Sequence, residues 1–126
     1  VNDVAFAIGN FDEETGYRPL HIPDRGHENV VYFILNGNRV KIGTTTHLRN
    51  RVRALALAPR NVIACVPGDR RKEDELHARF SELRIGRTEW FAFEDPIADA
   101  VNDWHARAIV LRRHANANLF AVPHGA

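Results

Sequence analysis

Five side chains in this 126-residue sequence could do chemistry together: Tyr32, Lys41, Arg51, Glu73 and His77. Lys41 opens the densest polar stretch, KIGTTTHLRNRVR, where one lysine, one glycine, three consecutive threonines and three arginines crowd between Lys41 and Arg53. Only Ile42, Leu48 and Val52 there read as core. A guanidinium fork matches a phosphate, the N–H groups at a helix start collect anions, and a carboxylate binds a hard cation such as Mg²⁺. These residue types suit the handling of a phosphate ester.

Each candidate also has a plainer reading. Thr44, Thr45 and Thr46 lie at the entrance of a helix beginning near His47; one of them serves as the N-cap, and three exceed what capping requires. Arg51 follows Leu48 by three residues and precedes Leu55 by four, which places it on the border of the buried stripe, where a guanidinium needs a partner. Arg49 and Arg53 point further outward, as phosphate contacts or as solubilising charges. His47 contacts phosphate, accepts a proton or caps the helix. Glu73 shares the inward face of the next helix with Leu76 and Phe80, one turn before His77. It is either a first-turn carboxylate beside Asp74 and Glu75 or a metal ligand aimed at the sheet. His77 is a site residue or a histidine bonded to the sheet. If the intervening turn pairs Leu35 with about Asn38, Tyr32 and Lys41 fall opposite each other, and the ammonium lowers the phenol's pKa. Taken alone, Tyr32 reads as a core aromatic with a wet hydroxyl.

Periodicity supplies the elements that must position these groups. VVYFIL is a β-branched and aromatic run, NGN is a turn signal, and RVKIG resumes the strand, which predicts a hairpin. Leu48, Val52 and Leu55 mark one face of a helix ending before Pro59. NVIACV predicts a third strand, closed by Pro67-Gly68. Leu76, Phe80 and Leu83 mark a second helix that stops near Gly86. EWFAF is a short strand, with Glu89 tied to a basic neighbour. Asp95-Pro96 caps and opens a last helix with Ile97, Val101, Trp104, Ala108 and Leu111 inward. The expected fold is α/β (α+β): a small mixed sheet of three to four strands with helices packed on it, in the order β-β-α-β-α-β-α. Residues 1–29, rich in Asp, Glu, Gly and Pro, read as a loose acidic arm; 30–113 form the domain, and 114–126 a tail in which Leu119 and Phe120 could dock on a neighbour.

Composition narrows the function classes. A hydrophobic content of 44% in 126 residues supports one domain with a real core. No apolar run approaches the roughly 20 residues of a membrane span, and no secretory leader is evident, so a cytoplasmic location is expected. The lone Cys65 forms no internal disulfide and reads as a small buried residue. Net charge is +1 overall. From Arg39 to Arg87, however, twelve Lys and Arg face five Asp and Glu, a local net of +7, against −6 for the remainder. A basic centre suits a polyanion, and equally a solvated face.

Five short motifs occur in order: VVY (30–32), KIG (41–43), an arginine eight residues later (Arg51), ExxLHxxF (73–80) and EWF (89–91). Together they resemble the GIY-YIG nuclease superfamily, most closely its phage and bacterial branch. The resemblance covers residues 30–93, half the chain. It implies hydrolysis of a phosphodiester by in-line attack of water, with one Mg²⁺ (or Mn²⁺) held by Glu73, Arg51 as the catalytic arginine, Tyr32 positioning or deprotonating water, Lys41 assisting it, and His77 added to the site. Thr44, Thr45, His47, Arg49 and Arg53 would contact nucleic acid, with DNA favoured over RNA. A homodimer or an additional domain on a longer chain would supply specificity. Two departures stand out: VVY replaces glycine-isoleucine-tyrosine, and Lys41 stands where many members have tyrosine. An inactive nucleic-acid-binding module is the alternative.

Overall fold

The VVYFIL run forms β1 (Val30–Asn36), which turns through Gly37 and Asn38 into β2 (Arg39–Thr45). This computed structural model describes residues 15–17 and 20–107. After β2 come α1 (Leu48–Ala54), a 3₁₀ turn (Pro59–Asn61), β3 (Val62–Pro67), α2 (Arg70–Arg79), a second 3₁₀ turn (Ser81–Leu83) and β4 (Trp90–Ala92). The last helix, α3, runs over 95–107 as far as it is described. The order is the β-β-α-β-α-β-α of an α+β fold, as the sequence predicts. In space the strands lie β3-β1-β2-β4, and all three pairings are antiparallel, so the sheet expected as mixed has no parallel pair. Among the described residues no helix is long and apolar enough to cross a membrane.

The central strand β1 is buried from Val30 to Leu35, which is why its sequence is continuously apolar rather than alternating. Phe33 fixes the layer above it, with its ring edge-on to Phe80 at 6.3 Å and to Trp104 of α3 at 5.2 Å. Aromatic pairs in this geometry add about 0.5–1.5 kcal/mol each beyond burial. Ile97, Val101 and Trp104 form the inward stripe of α3, joined by Ala100; Ala108 and Leu111 lie outside the described residues, as do Leu119 and Phe120. The start of α3 is set by the Glu94 carbonyl, which accepts from the amides of Ile97 and Ala98, one residue before the expected Asp95 cap. A bulge in β3 leaves Ile63 without a partner on β1, and His105 donates Nε2–H to its carbonyl. Cys65 is buried on β3, and burial pushes its thiol pKa up.

Two helix ends depart from the periodicity. α1 stops at Ala54 because Ala56 takes φ +57°. The amides of Ala56 and Leu57 then reach back to the carbonyls of Arg53 and Val52, which closes the helix as a Schellman motif. α2 stops at Arg79, so Leu83 belongs to the following 3₁₀ turn.

Within the segment read as a loose arm, Leu20 and Ile22 are buried in the core. The Ile22 carbonyl accepts from Arg49, and the His27 amide donates to the Thr46 carbonyl. This part of the lead-in lies against α1.

Candidate active site

Asn36 pairs with Arg39, so the two turn residues are Gly37 and Asn38. Gly37 supplies the positive φ, +64°, at the first turn position, the pattern of a type II′ turn rather than the Asn-Gly type I′ turn that the expected register required. The difference moves β2 by two residues. Tyr32 therefore faces Gly43, and Lys41 faces Ile34, which corrects the expected Tyr32–Lys41 pairing. Lys41 instead holds Glu89 at 3.3 Å and sits 5.5 Å from the Trp90 ring centre.

The Tyr32 phenol lies directly over Gly43: a Cβ there would fall 2.6 Å from Tyr32 Cζ and closer still to the hydroxyl. Only 2% of Tyr32 is exposed. Its pKa is pushed up to about 12, first by burial; Arg51 pulls it down, and Glu89 and Glu73 push it further up. The lowered pKa expected from a lysine neighbour is thus reversed, since burial dominates and Lys41 is engaged by Glu89.

β4 pairs with β2 only from Arg39 to Lys41. Beyond that point, α2 takes over the edge of β2. The Ile42 amide still donates to the Glu89 carbonyl, but the Ile42 carbonyl accepts from His77 Nε2 at 2.8 Å. His77 thus fills the place of a missing strand amide, and its Nδ1 is left as the ring's accepting atom. One turn earlier, Glu73 is buried, with 5% of its side chain exposed. Thr44 donates its hydroxyl to Glu73 Oε1 at 2.5 Å. Oε2 lies 3.7 Å from Arg70 Nε and 3.9 Å from His77 Nε2, and it has no hydrogen bond among the described residues. A carboxylate this deep is held by its partners, because an unpaired one would cost several kcal/mol. Asp69 caps α2 through the Arg71 amide, which starts the helix where Glu73 can face β2.

The start of α1 differs most from expectation. Its N-cap is not a threonine but His47, which takes the capping role among its expected readings: His47 Nδ1 accepts from the Asn50 amide at 3.2 Å. The Leu48 amide donates to His27 Nε2 at 2.9 Å, while His27 Nδ1–H donates to the Glu28 carbonyl. Buried Thr45 accepts from the His47 amide. Two imidazoles therefore fill the place expected to offer free N–H groups to an anion. The arginines are also reordered. Arg49, expected to point outward, is half-buried, with one terminal nitrogen on the Ile22 carbonyl and its Nε unpartnered. Arg51, expected at the core border, is exposed. Its guanidinium has no hydrogen bond or ion pair among the described residues, although its charge acts on Tyr32. Arg53 is exposed and pairs with Asp24 at 3.1 Å.

The charges of Arg51, Glu89 and Glu73 thus all act on the Tyr32 phenol, whereas Thr44, Thr45, His47 and Arg49 make internal contacts. Among known families, the model of the T5orf172 domain matches residues 29–109, well over half the chain. The chain belongs to the T5orf172 family. The matched stretch begins just before β1 and includes every candidate site residue. No curated protein and no solved structure matches the chain.

In this T5orf172 domain a pocket of about 400 Å³ opens beside α2, lined by Arg70, Glu73, His77, Ser81, Arg84 and Glu89 among others. No group of three or more His, Cys, Asp or Glu side chains among the described residues could hold a metal ion. Glu73 offers one hard oxygen, Oε2, free of hydrogen bonds. That donor set fits Mg²⁺ held by a single carboxylate with water and substrate phosphate completing its shell, and does not fit an all-protein cage.

Proposed function

We propose that this T5orf172 chain is a divalent-metal-dependent endonuclease of GIY-YIG type, hydrolysing phosphodiester bonds of DNA. T5orf172 domains are associated with phage and bacterial nuclease-like proteins, which supports the class. The observation that carries the reading is Glu73, a buried carboxylate that lines a pocket with Oε2 free of hydrogen bonds among the described residues, while its charge and that of Arg51 both act on the Tyr32 phenol. A merely structural site has no use for a buried carboxylate oxygen left without a hydrogen bond at the wall of a pocket.

In the proposed reaction a water oxygen attacks phosphorus in line with the P–O3′ bond, that bond breaks, and a 5′-phosphate and a 3′-hydroxyl remain. The attacking water loses a proton, and the departing O3′ gains one from solvent. Arg51, exposed and unpaired, is suited to the extra negative charge of the transition state. Tyr32 keeps its proton at neutral pH, so in this reading it orients the water rather than deprotonating it. His77, with Nε2–H directed to Ile42, has Nδ1 as its accepting atom and lines the pocket. A divalent ion on Glu73, when bound, would offset charge on the leaving oxygen. Lys41 is held by Glu89.

One observation favours a second reading, a nucleic-acid-binding module without cleavage: Tyr32 is almost fully buried and hard to ionise. Incubating supercoiled plasmid with the protein and Mg²⁺ separates the two. The nuclease reading expects nicked or linear product, blocked by chelator and lost in Glu73→Ala and Arg51→Ala. Plasmid that is bound but stays supercoiled with the parent protein selects the module.

A further inference from the structure

Arg84 lines the same pocket as Glu73, in a position that no motif of the sequence marks. Its backbone is held on both sides: the amide donates to the Ser81 carbonyl, and the residue bridges antiparallel to Phe91. Its side chain is held as well, with Nε donating to the Thr88 carbonyl at 2.7 Å. Thr88 in turn donates its hydroxyl to the Ile85 carbonyl and accepts from the Trp90 amide. The Nε edge of the guanidinium is thus engaged, and its two terminal nitrogens have no hydrogen bond or ion pair among the described residues.

The other charged groups of the pocket each have a partner among the described residues, with Glu73 Oε2 left open to hydrogen bonding. Asp74 holds Arg70 at 3.2 Å, Glu73 takes the Thr44 hydroxyl, and Glu89 holds Lys41. Arg84 is left on the wall of a polar cavity with two terminal donors unengaged among the described residues, a fork that can recognise a phosphate bidentately. We propose that Arg84 binds a backbone phosphate of the substrate strand next to the scissile one, in the pocket it shares with Glu73 and His77. The proposal rests on the nucleic-acid reading above and assigns where the strand runs once it passes Glu73: along α2 toward the 84–89 loop.

The test reads binding separately from cleavage. A fluorescently labelled duplex of about 20 base pairs is titrated in chelator over a range of potassium chloride concentrations. Arg84→Ala should bind about tenfold more weakly near 0.1 M salt, and its slope of log affinity against log salt should be shallower by about 0.9. Arg84→Lys should keep the parent slope yet lose about threefold in affinity, because it cannot form the fork. Arg84→Gln, which removes the charge but keeps a donor for the Thr88 carbonyl, should follow Arg84→Ala and replaces it if that variant unfolds. Arg39→Ala removes an equal charge at the hairpin end of β2 and should behave as the parent. Parent-like affinity and slope in the Ala and Gln variants, or an equal loss in Arg39→Ala, overturns the proposal. A parent protein that binds without cutting sinks the nuclease reading while this proposal still stands or falls on the slopes; a parent that does not bind sinks both.

Discussion

The hydroxyl of Tyr32 occupies the space in which a Gly43 side chain would lie. The two residues are cross-strand partners in the hairpin, and the glycine is required by this close approach rather than by its backbone angles. Gly43→Ala should therefore displace the ring and destabilise the protein by about 1–3 kcal/mol, the usual range for an overpacked core. Denaturant melts check the loss. The double variant Gly43→Ala/Tyr32→Ala should recover part of it relative to the sum of the single changes; strict additivity would contradict the contact.

Thr44 and Glu73 make a second pairing that can be tested. Thr44→Val removes the one hydroxyl that donates to a buried carboxylate, which should cost about 1.5–3 kcal/mol. Glu73→Gln keeps an acceptor for Thr44 and should melt within about 1 kcal/mol of the parent. The Glu73→Gln protein should nevertheless lose both plasmid cleavage and any rise in melting temperature caused by Mg²⁺. Retention of the Mg²⁺-dependent rise in Glu73→Gln would exclude this carboxylate as the metal ligand.

Tyr32 gives stability a dependence on alkaline pH. The folded phenol is pushed up to about 12 from an ordinary 10.0, so the folded state favours the protonated form. The stabilisation is complete below pH 10 and is lost as pH rises from 10 toward 12. A difference of this size corresponds to something on the order of 3 kcal/mol. Melts of the parent between pH 9 and 12 should decline more steeply than those of Tyr32→Phe; parallel curves would show that burial does not hold the proton.

Ala56 closes α1 at φ +57°, a conformation that costs an L-residue roughly 1–2 kcal/mol. Ala56→Gly should raise stability by about 0.5–1 kcal/mol after the added chain entropy of glycine is subtracted. Ala56→Val should lower it. Thermal melts of the two variants on either side of the parent check the sign.

The elements themselves were legible in the sequence, because VVYFIL, NVIACV and the i, i+4, i+7 stripes are local signals. The hairpin was legible but its register was not. Asn36-Gly37 and Gly37-Asn38 are both acceptable turn pairs, and the choice between II′ and I′ moves Tyr32 by two partners. The burial of Glu73 could be read from its spacing to Leu76 and Phe80, since a helix face is set by sequence alone. The assignments at α1 were not legible for a different reason. Arg49 is covered by Ile22, and the Leu48 amide is capped by His27, contacts made across 27 and 21 positions of chain in a segment without periodicity. The one available hint was the pair of apolar residues Leu20 and Ile22 set two apart in an otherwise polar stretch. Arg84 had no signal at all: its Nε contact depends on Thr88, which is placed by the tertiary turn into β4.

The imidazole of His27 that caps α1 comes from upstream of residue 29, where the shared family stretch begins. A gene fragment trimmed to that boundary would delete Leu20, Ile22 and His27 at once, uncovering core surface and opening the first turn of the helix that carries Arg51. The matched family stretch and the packed core therefore have different borders, and expression clones should start no later than residue 20.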